Sequence, residues 1–445
     1  MVVCIIGAGI AGLQTAVLLQ DRLGGERIVV IESQSAVGGR VRTQRSAAGA
    51  VQYERGPWRI AESHERALQL CRDFGVALHR SSAPPPKPAV PEPKAGLSIW
   101  DVHLLRSGGN PRRADALDLA TGYAGQTRAA SGSSPYVVGA KQYYVATGGL
   151  DQLTTGLARR FKGELWLDAR VTDVVKNGRG FAVHVSRRKG HNEFETTRLA
   201  ARAVVVATPP HAWRPWSIAR RCRSVLAAVR SAPLHHIYAR SRATAPRRHT
   251  ISSSAAAAQR IPSQYGNAWH QVSYTSGRLA DFWHRLRQSD PTKFTELLGH
   301  PLGKLRSHYW PRAFHMWRPA FHFDLDRAVA TSVQPNPAEL PGLYLANESH
   351  SSHQAWMEGA LEMAERVVGC FDTVVAESRR SLPNNHVVHE GWVLDVSAWC
   401  RAHPGSSKAI RNHLGEDISE LHAHIGHSDD ALAVIHSLKI MPFYK

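Results

Sequence analysis

Apolar positions set a clear rhythm from the first residues. The run "VVCIIGAGIAGLQTAVLLQDRLGGERIVVIES" is continuously apolar, then apolar at helical spacing, then β-branched, which predicts strand, glycine turn, helix and strand in a βαβ unit. Farther on, "GGLDQLTTGLARRF" (148–161) reads as a helix, and "ELWLDARVTDVVKNGRGFAVHVSR" alternates as paired strands do. "ARAVVVATPP" reads as a buried strand halted by prolines that returns the chain to the first sheet. "GLYLANES" (342–349) predicts a strand and turn, and "WMEGALEMAERVVGC" (356–370) a helix. Elsewhere the rhythm fails. The stretch "SSAPPPKPAVPEPKAG" (81–96) is a proline-rich loop, 106–134 has little periodicity, "TISSSAAAAQR" (250–260) is of low complexity, and "HYWPRAFHMWRPAFHF" (308–323) is an aromatic cluster.

With 445 residues and 43% hydrophobic content, the chain can build more than one core. Its five cysteines (Cys4, Cys71, Cys222, Cys370, Cys400) are odd in number and lack C-x-x-C spacing. Neither a disulfide framework nor a zinc site is expected, and a reducing, cytoplasmic setting is. The first strand starts at Val2 and leaves no room for a leader; no apolar run reaches the roughly 20 residues of a membrane span. The net charge of +19 is uneven: residues 371–445 hold seven Lys/Arg against nine Asp/Glu, so the tail is at −2 and residues 1–370 at +21. That surplus is open to three accounts: charges spread over solvated loops, a basic body steering its own acidic tail, or a nucleic-acid surface.

Gly7, Gly9 and Gly12 form G-x-G-x-x-G between the first strand and helix, and Glu32 follows 20 residues after Gly12. Such glycines allow a tight turn and close approach to a pyrophosphate at the helix N-terminus, and the acid suits ribose hydroxyls. "GGRVRT" comes next, where Gly39 lets the backbone close over a cofactor and Arg40 can fork onto a pyrophosphate. With this stretch, residues 1 to about 370 resemble the flavin-containing amine oxidase family. The resemblance implies non-covalently bound FAD, met by the segments "YERGPWRI", "GGLDQL", "VVVATPP" and "MEGALEMAERV". Its implied contacts are Gly56, Val171 near the adenine, Glu348 near the ribityl chain and Met357 near the flavin ring, with Asn347 standing where the family usually has glycine. It also implies a small amine-like substrate in an aromatic cage. Trp356 stands at the cage position, with Trp317 or Tyr309 as the other wall, unless these rings are ordinary core. Where most members carry a lysine, "PLHHIYARS" offers His235 and His236.

The tail "HEGWVLDVSAWCRAHPGSSKAIRNHLGEDISELHAHIGHSDDA" resembles the cytochrome b5 family from about 371 to 440. His403, before Pro-Gly, and His427, between Gly and Ser, match that family's two ligand turns, which implies a b-type haem (heme b) whose iron takes both imidazoles as axial ligands. Ser406 replaces the usual second glycine after "HPG", and a zinc reading of His413, His422 and His424 lacks supporting ligands.

The expected fold class is α/β: a Rossmann-type FAD-binding domain with an inserted α+β substrate domain, then a small α+β b5-like domain. The nucleotide-binding parts cover about 1–80, 140–210 and 335–370, the substrate part about 81–139 and 211–334, and the haem domain 371–445. The expected function is a flavohaem oxidoreductase that oxidises an amine-like substrate and passes electrons to the haem and an external acceptor. The alternatives are an oxygen-using amine oxidase with an uncoupled haem module, and a catalytically degenerate basic flavin scaffold that binds nucleic acid or a protein partner.

Overall fold

In the computed structural model the described residues are 2–81, 142–190, 193–240, 259–261, 263–298, 305–318, 324–371 and 385–443. The proline-rich and low-period stretches, nearly all of "TISSSAAAAQR" and the junction at 372–384 therefore lie outside the described residues.

Five parallel strands form the central sheet, in the order Leu343–Leu345, Ala203–Val206, Val2–Ile6, Arg27–Ile31 and Glu164–Trp166. Val3 to Ile6 and Ala203 to Val206 are buried throughout, which explains why these strands read as unbroken apolar runs. Helix Ile10–Leu23 covers one face and packs against helix Met357–Cys370, so the last part of the oxidase-like body closes onto the first. An antiparallel sheet of Ala169–Asn177, Gly180–Arg188 and Phe194–Ala201 lies over the other face, its apolar side sharing a core with Cys4, Ile6 and Val204.

The substrate part is built on four antiparallel strands, Gln259–Ile261, Trp269–Ser276, Val229–Arg240 and Leu305–Trp317. The aromatic cluster thus begins as a long strand, and this places His315 and Trp317 at the edge of the nucleotide-binding part. The tail folds as His386–His389, Trp392–Asp395 and Lys439–Pro442 in a small sheet, with four helices between the second and third strands.

Tail and body share a buried interface. Trp392 donates its indole N–H to the Pro335 carbonyl (3.1 Å), and Gly391 fits because a Cβ there would come 2.6 Å from Asn336 Oδ1. Glu390, 5% exposed, accepts from the backbone N–H groups of Arg223 (2.8 Å) and Ser224 (3.3 Å) and from the Ser224 hydroxyl (2.6 Å). It satisfies amides at the start of helix Arg223–Ala227 that would otherwise be left unpaired in the interface. Behind it Lys439 is fully buried, its Nζ without a hydrogen bond. Burial pushes the Lys439 pKa down to about 8, against the opposing pull of Glu390 and Cys222. At the rim, Arg318 pairs with Asp430 (3.1 Å) and Asp429 (3.5 Å), joining the basic body to the acidic tail.

Candidate active site and haem-ligand turns

The glycine turn is locked by backbone approach. Gly7 has φ +107, and a Cβ on Gly12 would sit 1.9 Å from the Gly7 carbonyl oxygen, so only hydrogen fits there. Gly9 bridges to Gly38, and Gly39, at φ +57, lies against the Gly9 Cα. Glu32 accepts from the N–H groups of Ala8 (2.9 Å) and Gln34 (2.8 Å), which fixes the acid beside the turn. Gly56 packs on the Arg40 carbonyl, where a Cβ would come within 1.9 Å.

Arg40 ties three distant segments together. Its guanidinium donates to the Ala313 carbonyl (2.7 Å) and to Glu348 Oε2 (2.7 Å). Glu348 is buried and also accepts from the His315 backbone N–H and ring Nδ1, each at 3.0 Å. Burial alone would raise the Glu348 pKa, but Arg40 and His315 outweigh it and hold the carboxyl well below the usual range. Asn347 adopts an extended conformation, and its side-chain amide reaches the Thr208 carbonyl at 3.3 Å. No glycine-only geometry is needed at that position. Val171 is buried in strand Ala169–Asn177, and Met357 begins the last helix of the body. Close contacts thus join Gly7, Gly9, Gly12, Glu32, Gly39, Arg40, Gly56 and Glu348; backbone fills the space beside Gly12 and Gly56, whereas a Cβ on Gly9 would project into open space, the kind of cradle a pyrophosphate needs.

Trp356 caps this last helix and faces a nest that pattern reading did not anticipate. Tyr143 lies nearly parallel to it (6.2 Å, 14°), and His64 meets it edge-on at 4.6 Å. The Arg59 guanidinium sits 4.3 Å from the Tyr143 ring, 4.8 Å from Trp58 and 5.8 Å from Trp356. Arg59 Nη1 is buried without a hydrogen-bond partner. His64 Nδ1 accepts from the Ala61 N–H (3.2 Å), so a neutral ring carries its proton on Nε2, also buried and unpartnered. Burial, then His353 and Arg59, keep His64 neutral by lowering its pKa to about 3. Two donors without partners thus flank the Trp356 ring.

The expected second cage wall lies elsewhere. Trp317 is fully buried, donates its indole N–H to the Ser351 carbonyl (3.2 Å), and stacks on His436 of the tail (5.8 Å, 16°). Tyr309 stacks on His284 (3.8 Å) and donates to Asp281 (2.6 Å). His236 is buried in the four-stranded sheet, with Nδ1 near the Gln271 amide (3.0 Å) and Nε2 unpartnered. Burial, then His308, lowers its pKa to about 3. Gln271 and Tyr238 beside it line a small, partly open pocket with Tyr53, Glu54, Trp58 and Tyr265. Burial raises the Glu54 pKa to about 7 against hydrogen bonds from the Leu150 N–H, Thr43 and Tyr265.

In the tail, His403 Nδ1 lies 3.2 Å from the Ser406 carbonyl and His427 Nδ1 3.4 Å from the His422 carbonyl. A carbonyl partner holds the proton on Nδ1 and leaves Nε2 as the free donor atom for a metal. Gly405 abuts the His403 ring, where a Cβ would come within 2.8 Å. Ser406 has φ +83 and ψ 153, a conformation suited to glycine, so the replaced residue retains the backbone its turn requires. These features fit a bis-imidazole haem. Among the described residues no group of three or more His, Cys, Asp or Glu side chains is arranged for a metal ion, and no helix is long and apolar enough to cross a membrane. All five cysteines are free.

Comparison with known proteins agrees with this layout. Residues 5–74 match the NAD(P)-binding Rossmann-like domain, 113–370 the flavin containing amine oxidoreductase model, and 379–442 the cytochrome b5-like heme/steroid binding domain. An L-amino-acid oxidase of Echis ocellatus is 38% identical over 77 residues, 17% of this chain and 15% of that protein. One of Siganus canaliculatus is 39% identical over 77 residues, 17% of this chain and 14% of that protein. The chain therefore spans only a small part of the curated relatives it matches. Among solved structures, a protein of Exiguobacterium sp. 255-15 assigned as a protoporphyrinogen oxidase has TM-score 0.60 at 14% identity, covering 83% of this chain and 98% of that one. Wild-type putrescine oxidase bound to putrescine has TM-score 0.56 at 18% identity, covering 84% and 99%. At such identities these structures show the fold alone. The family model spans more than half of the sequence, and the chain belongs to the flavin containing amine oxidoreductases, carrying FAD in its body and a cytochrome b5-like, haem-binding domain at its C-terminal end.

Proposed function

We propose that this chain is a flavohaem oxidoreductase that oxidises an amine-like substrate, with an L-amino acid the best fit, and passes the electrons through its haem module to an external one-electron acceptor. Bound FAD supplies hydride acceptance and bound haem single-electron exchange. The protein's own residues select and orient. Arg59 and His64 hold a substrate carboxylate through Nη1 and Nε2, while Trp356 and Tyr143 flank the carbon chain and its amine. His64 stays neutral, so it donates a hydrogen bond without adding charge. The five free cysteines suit a cytoplasmic setting.

The observation that carries the coupled reading is the buried seam between modules. Helix Asp429–Ser437 begins one residue after Ser428, which follows the ligand His427, and ends with His436 stacked on Trp317. An uncoupled haem module would need no such fixed contact with the body.

Substrate selection is tested by comparing an L-amino acid with the amine lacking its carboxyl group. Arg59→Met is expected to lower kcat/KM for the amino acid at least 100-fold and to leave that for the amine within about threefold. Equal losses on both would remove the carboxylate role.

A further inference from the structure

Helix Ser419–Ile425 ends at Gly426 in the left-handed conformation (φ 72, ψ 48), and this turns His427 back along the helix. The His427 ring then lies flat on His422, with centroids 3.9 Å apart and planes 7° from parallel. His422 is 7% exposed, its Nδ1 is buried without a partner, and among the described residues no hydrogen bond engages its ring. His389 meets it edge-on at 4.9 Å and has a buried Nδ1 without a hydrogen bond, 3.9 Å from Glu390 Oε2.

A buried ring stacked on another ring needs no nitrogen. An apolar ring would fill the same space without the cost of desolvating a polar atom, Nδ1, that the protein leaves unsatisfied. The ring beside the ligand also has what an iron ligand requires, a nitrogen free of competing hydrogen bonds.

We propose that His422 is a second imidazole for the haem iron, able to take the axial position of His427 from the same side. This rests on the haem reading of the tail. In the exchange one iron–imidazole bond would break and another would form, with no change in the oxidation state of the iron. His403 would remain a ligand throughout.

The test uses the full-length, haem-loaded chain, read by absorption and electron paramagnetic resonance spectra and by the rate of haem loss to apomyoglobin. His427→Ala is expected to keep a low-spin, six-coordinate spectrum. The double variant His427→Ala with His422→Phe is expected to become high-spin and to lose haem at least tenfold faster than His427→Ala. Retained flavin and an unchanged unfolding midpoint of the haem-free chains check the fold; if the alanine variant fails that check, His427→Gly with and without His422→Phe carries the same comparison. A single variant as high-spin as the double overturns this proposal alone. A wild-type chain that takes up no haem overturns the haem reading and this proposal with it.

Discussion

The glycine turn at the front of the chain and the histidine turns at its end solve the same task, holding a redox cofactor, by opposite means. At Gly12 and Gly56 backbone meets backbone so closely that no side chain fits, and Glu32, Arg40 and Glu348 are each held by several hydrogen bonds. At His403 and His427 ring-to-carbonyl contacts of 3.2 and 3.4 Å orient the imidazoles in turns that follow short helices, and both rings are only half-buried. The first site is built before its cofactor arrives, whereas the second leaves its ligands freedom to adjust. The body should thus tolerate change at its binding turn poorly, and the tail well.

The largest effect is expected at the front. Gly12→Ala places a Cβ against the Gly7 oxygen, so the turn must move; a cost above about 3 kcal/mol and loss of FAD retention are expected by denaturant unfolding and flavin absorbance. A variant that keeps FAD and stability would erase the contrast.

The seam comes next. Glu390→Ala strips the Arg223 and Ser224 amides of their acceptor and leaves Lys439 alone in the interface, at a cost of about 3 kcal/mol. The expected result is two unfolding transitions in place of one, with the tail melting first.

Lys439 gives the seam a pH signature. Its folded pKa, lowered to about 8, lies below the value of 10.5 for a free side chain, so between these the unfolded chain binds more protons and stability rises with pH. The difference between wild type and Lys439→Met should change by up to about 1.4 kcal/mol per pH unit in that window. Below pH 8 the charged lysine is buried at full cost, and the methionine variant should be the more stable. A flat difference from pH 8 to 10 would show that Lys439 is not buried as a charge.

The smallest effect is expected at Ser406. With φ at +83, Ser406→Gly should relieve about 1 kcal/mol of strain and raise the unfolding midpoint of the tail without altering the haem spectrum. A lower midpoint would mean that the serine turn is already at ease.

This contrast also governs what the sequence could disclose. The βαβ unit was legible because its glycines act over a few residues of chain and its strands are buried on both faces. The histidine turns were legible for the same local reason, as short motifs with their ligands inside them. The seam was not, because Glu390 meets Ser224 across 166 residues and neither segment carries a pattern that names the other. Arg59 lies in "YERGPWRI" and His64 four residues beyond it, yet their surroundings depend on Tyr143 and Trp356, which distant strand and helix termini bring alongside. Trp317 and Tyr309 stood both as candidate cage walls and as ordinary core, because a strand's register cannot be inferred from aromatic content. The sheet turns Trp317 toward His436.

The central claim is that electrons taken from the substrate reach the haem of the same chain. The direct measurement is the absorption spectrum of the fully loaded protein after an L-amino acid is added without oxygen, followed in time at several protein concentrations. The account predicts that flavin bleaching is followed by the bands of reduced haem at a rate independent of concentration, and more slowly at high salt. Flavin that bleaches while the haem stays oxidised through many turnovers would contradict it.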